Sequence, residues 1–235
     1  MGRTQGDSRL VPRWRPGDEI APLAAHVASG GILAIPTESS YGLAVDPLNE
    51  RAVTAIFALK GRSGAKPLPV VIAGSAQLAR LGVDWPLAAS GGMESLWPAA
   101  LSLLLPTRGE VAAAAGSGRL AVRVPDHESL RRLLGELGIG LTATSANLAG
   151  DEPILDPAEL EPLLAGGDSM PKPMIVDGGI LAGGPPSTLV EVGGGVVTVR
   201  RRGRVGMDAL RDAAAGLEVR CQDFPPAPVE APVDA

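Results

Sequence analysis

The chain has 235 residues, of which 45% are hydrophobic and 20% charged, and its formal net charge is −5. A chain of this length can bury roughly 70% of its unfolded surface in one domain, so neither disulfides nor metals are needed for stability. The composition excludes wholesale disorder, a membrane helix of ~20 apolar residues and a global positive field for nucleic acid.

Residues 1–15 carry Arg3, Arg9, Arg13 and Arg15 without periodicity and predict a flexible basic arm. Asp18 is placed to cap a helix through Ser29, with Ile20, Leu23, Ala24 and Val27 on one face. Ile32–Ile35 is a fully apolar run, which predicts a buried strand. A helix over Leu48–Leu59, a strand over Leu68–Ala73 and a helix over Ser75–Leu81 follow. Strands are predicted at Leu101–Leu105, Leu120–Val124 and Leu141–Thr144, and helices at Asp126–Leu137 and Pro157–Leu164. Met174–Val176, Ser187–Val192 and Val196–Arg200 are late strands, the last two joined as a hairpin by Gly193–Gly195. Residues 209–235 predict a short helix and a disordered, Pro-rich acidic tail. The lone cysteine, Cys221, cannot close a disulfide within the chain, and the first residues hold no apolar leader core; both predict a cytoplasmic protein. No linker separates two domains. The pattern predicts a single α/β (α+β) domain around one twisted sheet.

Several chemistries are missing from the sequence. There is no P-loop, no dinucleotide fingerprint and no nucleophile elbow. The two histidines, His26 and His127, lie far apart, and one Cys gives no zinc pattern. What remains is a set of polar groups at the ends of apolar runs. Thr37 follows the strand at 32–35 within Pro36–Gly42, where ligands often bind in open α/β sheets. Lys60, Arg62 and Lys66 lie within seven residues, in a chain with 18 Arg and only three Lys. Like charges this close repel unless an anion sits between them, which points to a polyphosphate. Ser145 and Asn147 flank Ala146 after another strand. Arg119 and Arg123 share a strand, and Arg123, near a buried strand end, needs a carboxylate or phosphate partner. Ser187 enters a late strand, and Arg201 follows the next. Each feature also has a plain structural reading: a Ser/Thr-rich loop, a solvated helix end, a helix cap.

Taken in order, PTESSYGL at 36–43, KGR at 60–62, KPL at 66–68, RLAVRVPDH at 119–127, TSAN at 144–147, DGG at 177–179, PSTLV at 186–190 and RRGR at 201–204 resemble the YrdC-like family of TsaC-type L-threonylcarbamoyladenylate synthases. The resemblance spans residues 16–208. It implies a YrdC/RibB-like fold with a mostly parallel open sheet, flanking helices and a positive cavity. It implies condensation of ATP, bicarbonate and L-threonine to threonylcarbamoyl-AMP and pyrophosphate, a nucleotidyl transfer that serves N6-threonylcarbamoyladenosine in tRNA. By the same resemblance Lys60, Arg62, Lys66, Arg119, Ser145, Asn147 and Arg201 hold ATP, with Lys60 and Arg62 catalytic. Thr37, Arg123 and Ser187 face threonine. Mg²⁺ accompanies ATP, and no metal is bound structurally by the protein.

Implied partners are the threonylcarbamoyl-transferase machinery downstream and a weak contact to tRNA or double-stranded RNA; no membrane is involved. Three departures stand out: Ser63 replaces a Pro, Trp97–Ser102 departs from the usual Trp-Pro-Gly stretch, and Val71 replaces a His near the amino acid. The last predicts weaker amino-acid discrimination. Two alternatives stay open: a paralogue that makes a carbamoyl-adenylate from another substrate, and a non-catalytic double-stranded RNA-binding module.

Overall fold

The computed structural model describes residues 11–61, 66–83, 92–148, 150–165, 172–214 and 216–222. Arg62 and Ser63 lie outside the described residues, as does the end of the predicted tail from 223 onward.

Among the described residues, twelve strands form two sheets. In the first, the order is β1 (Arg13–Trp14), β9 (Met174–Val176), β2 (Leu33–Pro36), β3 (Tyr41–Ala44) and β8 (Thr144–Ser145). In the second it is β12 (Glu218–Cys221), β11 (Val196–Arg201), β10 (Thr188–Gly193), β5 (Leu101–Pro106), β6 (Arg119–Arg123), β4 (Val70–Val71) and β7 (Leu141–Thr142). The sheets meet where β7 runs into β8: only Ala143 separates them, and its amide donates to Pro69 O. The α/β class holds, but pairing is mixed, not mostly parallel. β1–β9, β2–β9, β5–β10, β4–β6 and β11–β12 are parallel; β2–β3, β3–β8, β4–β7, β5–β6 and β10–β11 are antiparallel.

The alternation of side chains along a strand divides the apolar residues between two cores. On β2, Ala34 joins a large core with Ile56, Val70, Leu103 and Val122, while Leu33 and Ile35 face a smaller one with Leu23, Leu133 and Leu134. The helices cover these faces. They are α1 (Ile20–Ala28), α2 (Glu50–Leu59), α3 (Glu128–Leu137), α4 (Leu160–Ala165) and α5 (Met207–Ala213). Asn49 caps α2 by accepting from the Ala52 amide. His127 caps α3 through Nδ1, which accepts from the Leu130 amide; burial lowers its pKa and so favours the neutral ring that this bond needs.

Local chemistry explains where the observed elements differ from the sequence pattern. Asp18 accepts from the Arg15 amide and closes a turn, so α1 starts one residue later than expected, at Ile20, without a side-chain cap. The Ser75–Leu81 helix resolves into two 3-10 turns. The basic arm ends earlier than residue 15. Trp14 is buried, its indole donates to Glu19 O, and Arg13 pairs with Glu161 and Asp177, so 13–14 add strand β1 to the first sheet. Cys221 ends β12, half-buried on the edge of the second sheet. Among the described residues no helix is long and apolar enough to cross a membrane.

Candidate functional site

A cavity of about 450 Å³ opens where the two sheets join. Its walls come from strand ends: the β2–β3 turn, the approach to β4, the last residue of β6, the β7–β8 junction, the approach to β10 and the last residue of β11. Lys66, Arg123 and Arg201 line it, and no carboxylate does among the described residues. Thr37, Ser145 and Ser187 supply hydroxyl groups. Six of the residues singled out in the sequence are thus brought to one concavity.

The β2–β3 turn is a four-residue hairpin loop, closed by the pair Pro36–Tyr41. Thr37 Oγ1 donates to Ser40 O at 2.7 Å and accepts from the Ser39 and Ser40 amides. Its hydroxyl proton is therefore spent on the turn, and Thr37 presents an already oriented oxygen. The Tyr41 phenol anchors the base: it donates to Gly179 O and accepts from the Gly178 amide. This segment reads as a loop in sequence because Ser and Thr dominate it, yet the residues after it continue as β3.

Ser187 is 3% exposed and belongs to a chain of contacts. Its Oγ lies 3.0 Å from Ser102 Oγ, and Arg201 donates to both Ser187 O and Ser187 Oγ. Ser102 is a buried polar residue that sequence reasoning passed over, because it sits inside the apolar run of β5. Gly203 lets the chain leaving β11 lie against this segment. A Cβ there would come within 2.2 Å of Pro186 O and 2.5 Å of Ser187 C.

Arg123 is 7% exposed, and burial lowers its pKa, an effect opposed by the charge of Glu38. Arg201 keeps solvent access at the mouth of the cavity. The protein around it lowers its pKa by desolvation, and the like charge of Arg123 lowers it further. Two guanidiniums that disfavour each other in one cavity are a site for an anion. Glu38, in the PTE stretch, is a residue that the sequence pattern leaves without a role; its carboxylate lies 3.4 Å from Arg123 Nε.

Three expected site residues stand elsewhere. Lys60 is 2% exposed, and its ammonium donates to Ser145 O at 2.5 Å, Asn147 O at 2.7 Å and Asn147 Oδ1 at 3.3 Å. As placed, it clamps the Ser145–Asn147 segment from behind instead of facing the cavity. Asn147 is turned to the same purpose: Oδ1 accepts from Ser145 Oγ and Nδ2 donates to Asp151 O, so it orients Ser145 and does not line the cavity. Arg119 is at the far end of β6, ion-paired with Glu191, which also takes Arg200. It stands four positions along the strand from Arg123, roughly 13 Å at ~3.3 Å per residue. Val71 also differs from expectation. It is level with Arg123 on the adjacent strand, but it is 1% exposed, packs with Leu130 and Leu133, and does not line the cavity.

The Sua5/YciO/YrdC family model, described as telomere recombination, matches residues 25–203. This chain belongs to the Sua5/YciO/YrdC family. A threonylcarbamoyl-AMP synthase of Idiomarina loihiensis is 42% identical over 142 residues, covering 58% of this chain and 76% of the relative. One of Bacillus subtilis is 33% identical over 209 residues, covering 86% of this chain and 58% of the relative. Among solved structures, P. abyssi Sua5 complexed with L-threonine aligns with a TM-score of 0.75 at 28% identity, over 89% of this chain and 62% of that one. E. coli YciO aligns with a TM-score of 0.68 at 22% identity, which speaks for the fold alone. The chain thus spans under two thirds of the B. subtilis relative and of the P. abyssi Sua5. As a family member it is an enzyme with the YrdC fold.

Proposed function

We propose that the chain is an L-threonylcarbamoyl-AMP synthase, a nucleotidyltransferase that condenses L-threonine, bicarbonate and ATP and serves the threonylcarbamoyl modification of tRNA. The observation that carries this reading is the cavity into which Lys66, Arg123 and Arg201 converge with no carboxylate lining it among the described residues. The reaction needs such a place: one carboxylate, one carbamate and a triphosphate must be held together, all of them anions.

The chemistry asks for no nucleophilic side chain. The amine of threonine attacks bicarbonate, water leaves, and the resulting carbamate oxygen attacks the α-phosphorus of ATP as pyrophosphate departs. What the protein supplies is proximity and charge. Arg123 meets the threonine carboxylate as a planar fork, Ser187 and Thr37 lie beside it, and Lys66 with Arg201 meets the phosphates. Ser145, fixed by Asn147 and Lys60, has its proton engaged by Asn147 and accepts at the junction. Neither histidine is in the lining, so Thr37 and Ser145 are binders. The lining offers cations and hydroxyls, which fit a triphosphate and not a divalent metal cage; Mg²⁺ would enter as the counter-ion of ATP, held by phosphate oxygens.

The test is pyrophosphate release with ATP, bicarbonate and each amino acid in turn. Release that depends on both threonine and bicarbonate is expected. Release with a different amino acid alone, or none with any, would overturn the assignment.

A further inference from the structure

Glu38 lies in the turn that walls the cavity, yet it does not line the cavity itself. Its side chain is 3% exposed, and neither carboxylate oxygen has a hydrogen-bond partner among the described residues. The ion pair to Arg123 Nε, at 3.4 Å, lacks hydrogen-bond geometry, so Nε is equally buried and unbonded. A buried carboxylate held by charge alone is costly, and a fold retains it when another group depends on it.

The group that depends on it is Arg123. Its guanidinium has two unlike edges. The Nε edge is sealed against Glu38; the two terminal nitrogens are not among the buried unbonded atoms, no hydrogen bond engages them among the described residues, and the residue lines the cavity. Little else fixes the head of this side chain. Level with Arg123 on the neighbouring strand is Val71, which is apolar, and Arg201 repels it.

We propose that Glu38 is the positioning residue of Arg123: it holds the Nε edge from behind, so that the terminal fork is presented to the monocarboxylate of the amino-acid substrate. This rests on the threonine reading of the same cavity. Glu38 does not touch substrate; it acts through Arg123, and therefore only on the amino acid.

The test is threonine-dependent pyrophosphate release by the full chain, with KM and kcat measured for wild type, Glu38→Gln, Arg123→Lys and the double variant. Glu38→Gln should raise the threonine KM about tenfold, the loss expected when one charge-assisted bond is misaligned. The ATP KM should stay within about twofold. In the Arg123→Lys background the same change should have little further effect, because the fork it serves is gone. Glu38→Asp, which keeps the charge on a shorter stem, should recover part of the affinity. Equal penalties in the two backgrounds would overturn the proposal, as would an unchanged threonine KM. Parallel loss of ATP and threonine affinity with a lowered melting temperature would show a structural residue instead. A wild-type protein indifferent to threonine would fail the site reading itself, and that failure is visible before any variant is made.

Discussion

Two concavities among the described residues invite comparison, and the larger is not the one we assign. A groove of about 700 Å³ runs between α2 and the 107–118 segment, lined by Val53, Phe57, Val111 and several Ala and Gly, with Glu50 and Glu110 as its charges. The cavity at the sheet junction measures about 450 Å³, yet it gathers the cations Lys66, Arg123 and Arg201 and the hydroxyls of Thr37, Ser145 and Ser187 from six different chain segments. Volume is what any imperfect seam between elements leaves behind. Convergence of like charges is costly and persists where a ligand of opposite charge repays it. Charge, not space, separates the two.

The comparison is broken most sharply at Arg123. Arg123→Lys keeps the charge and loses the fork. Loss of a bidentate bond to a charged group is worth about 1.5–3 kcal/mol, so the threonine KM should rise roughly 10- to 100-fold while the ATP KM changes little. Equal threonine KM values in the two proteins would remove Arg123 from the amino-acid subsite.

Lys60→Ala should come next, by a different route. Removing the ammonium leaves the part-buried carbonyls of Ser145 and Asn147 without this donor, at about 1–3 kcal/mol each. A drop in melting temperature of roughly 5–15 °C is expected, at ~2–4 °C per kcal/mol for a domain of this size. Turnover should fall with it, because Ser145 is no longer held. A variant that loses turnover at unchanged melting temperature would return Lys60 to the phosphates. Lys66→Ala probes the cavity side of the same basic segment. It should raise the ATP KM about tenfold, the worth of one charge-assisted contact, without moving the melting temperature by more than ~2 °C. Thermal scans beside steady-state kinetics separate the two lysines.

These two lysines also show how far the sequence could be read. Lys66, Arg123, Ser187 and Arg201 were legible because each stands at or beside the end of an apolar run, and strand ends in such folds converge. Lys60 was legible as important from the basic 60–66 segment; what the sequence could not show is that its ammonium also holds the carbonyls of Ser145 and Asn147. Arg119 shares face and strand with Arg123, and periodicity cannot say which end of a strand faces the cavity. The division into two sheets turns on one residue, Ala143, and on pairings between segments far apart in sequence. β1 and β12 are short, and their pairing partners are what make them strands. Glu38 was in plain view in the PTE stretch, but a carboxylate beside a predicted anion site makes sense only once its burial behind Arg123 is seen.

The smallest expected effect tests the larger groove. Glu110 is exposed on its rim, so Glu110→Lys places a cation beside 700 Å³ of open space without disturbing a packed side chain. If space plus a positive charge sufficed for a nucleotide, this variant would acquire a second ATP equivalent in calorimetry, or its ATP KM would shift. The groove has no second cation among its lining residues, no buried hydroxyl chain like Ser102–Ser187, and Glu50 still facing it. A lone exposed lysine is strongly hydrated, and its contacts are screened by salt, so it contributes about 1 kcal/mol or less. The expected outcome is therefore one ATP per chain, both KM values within about twofold of wild type, and a melting temperature within ~2 °C. A second equivalent of ATP would mean that a single charge can recruit nucleotide to an apolar seam, and the convergence of Lys66, Arg123 and Arg201 would lose its standing as the mark of the site.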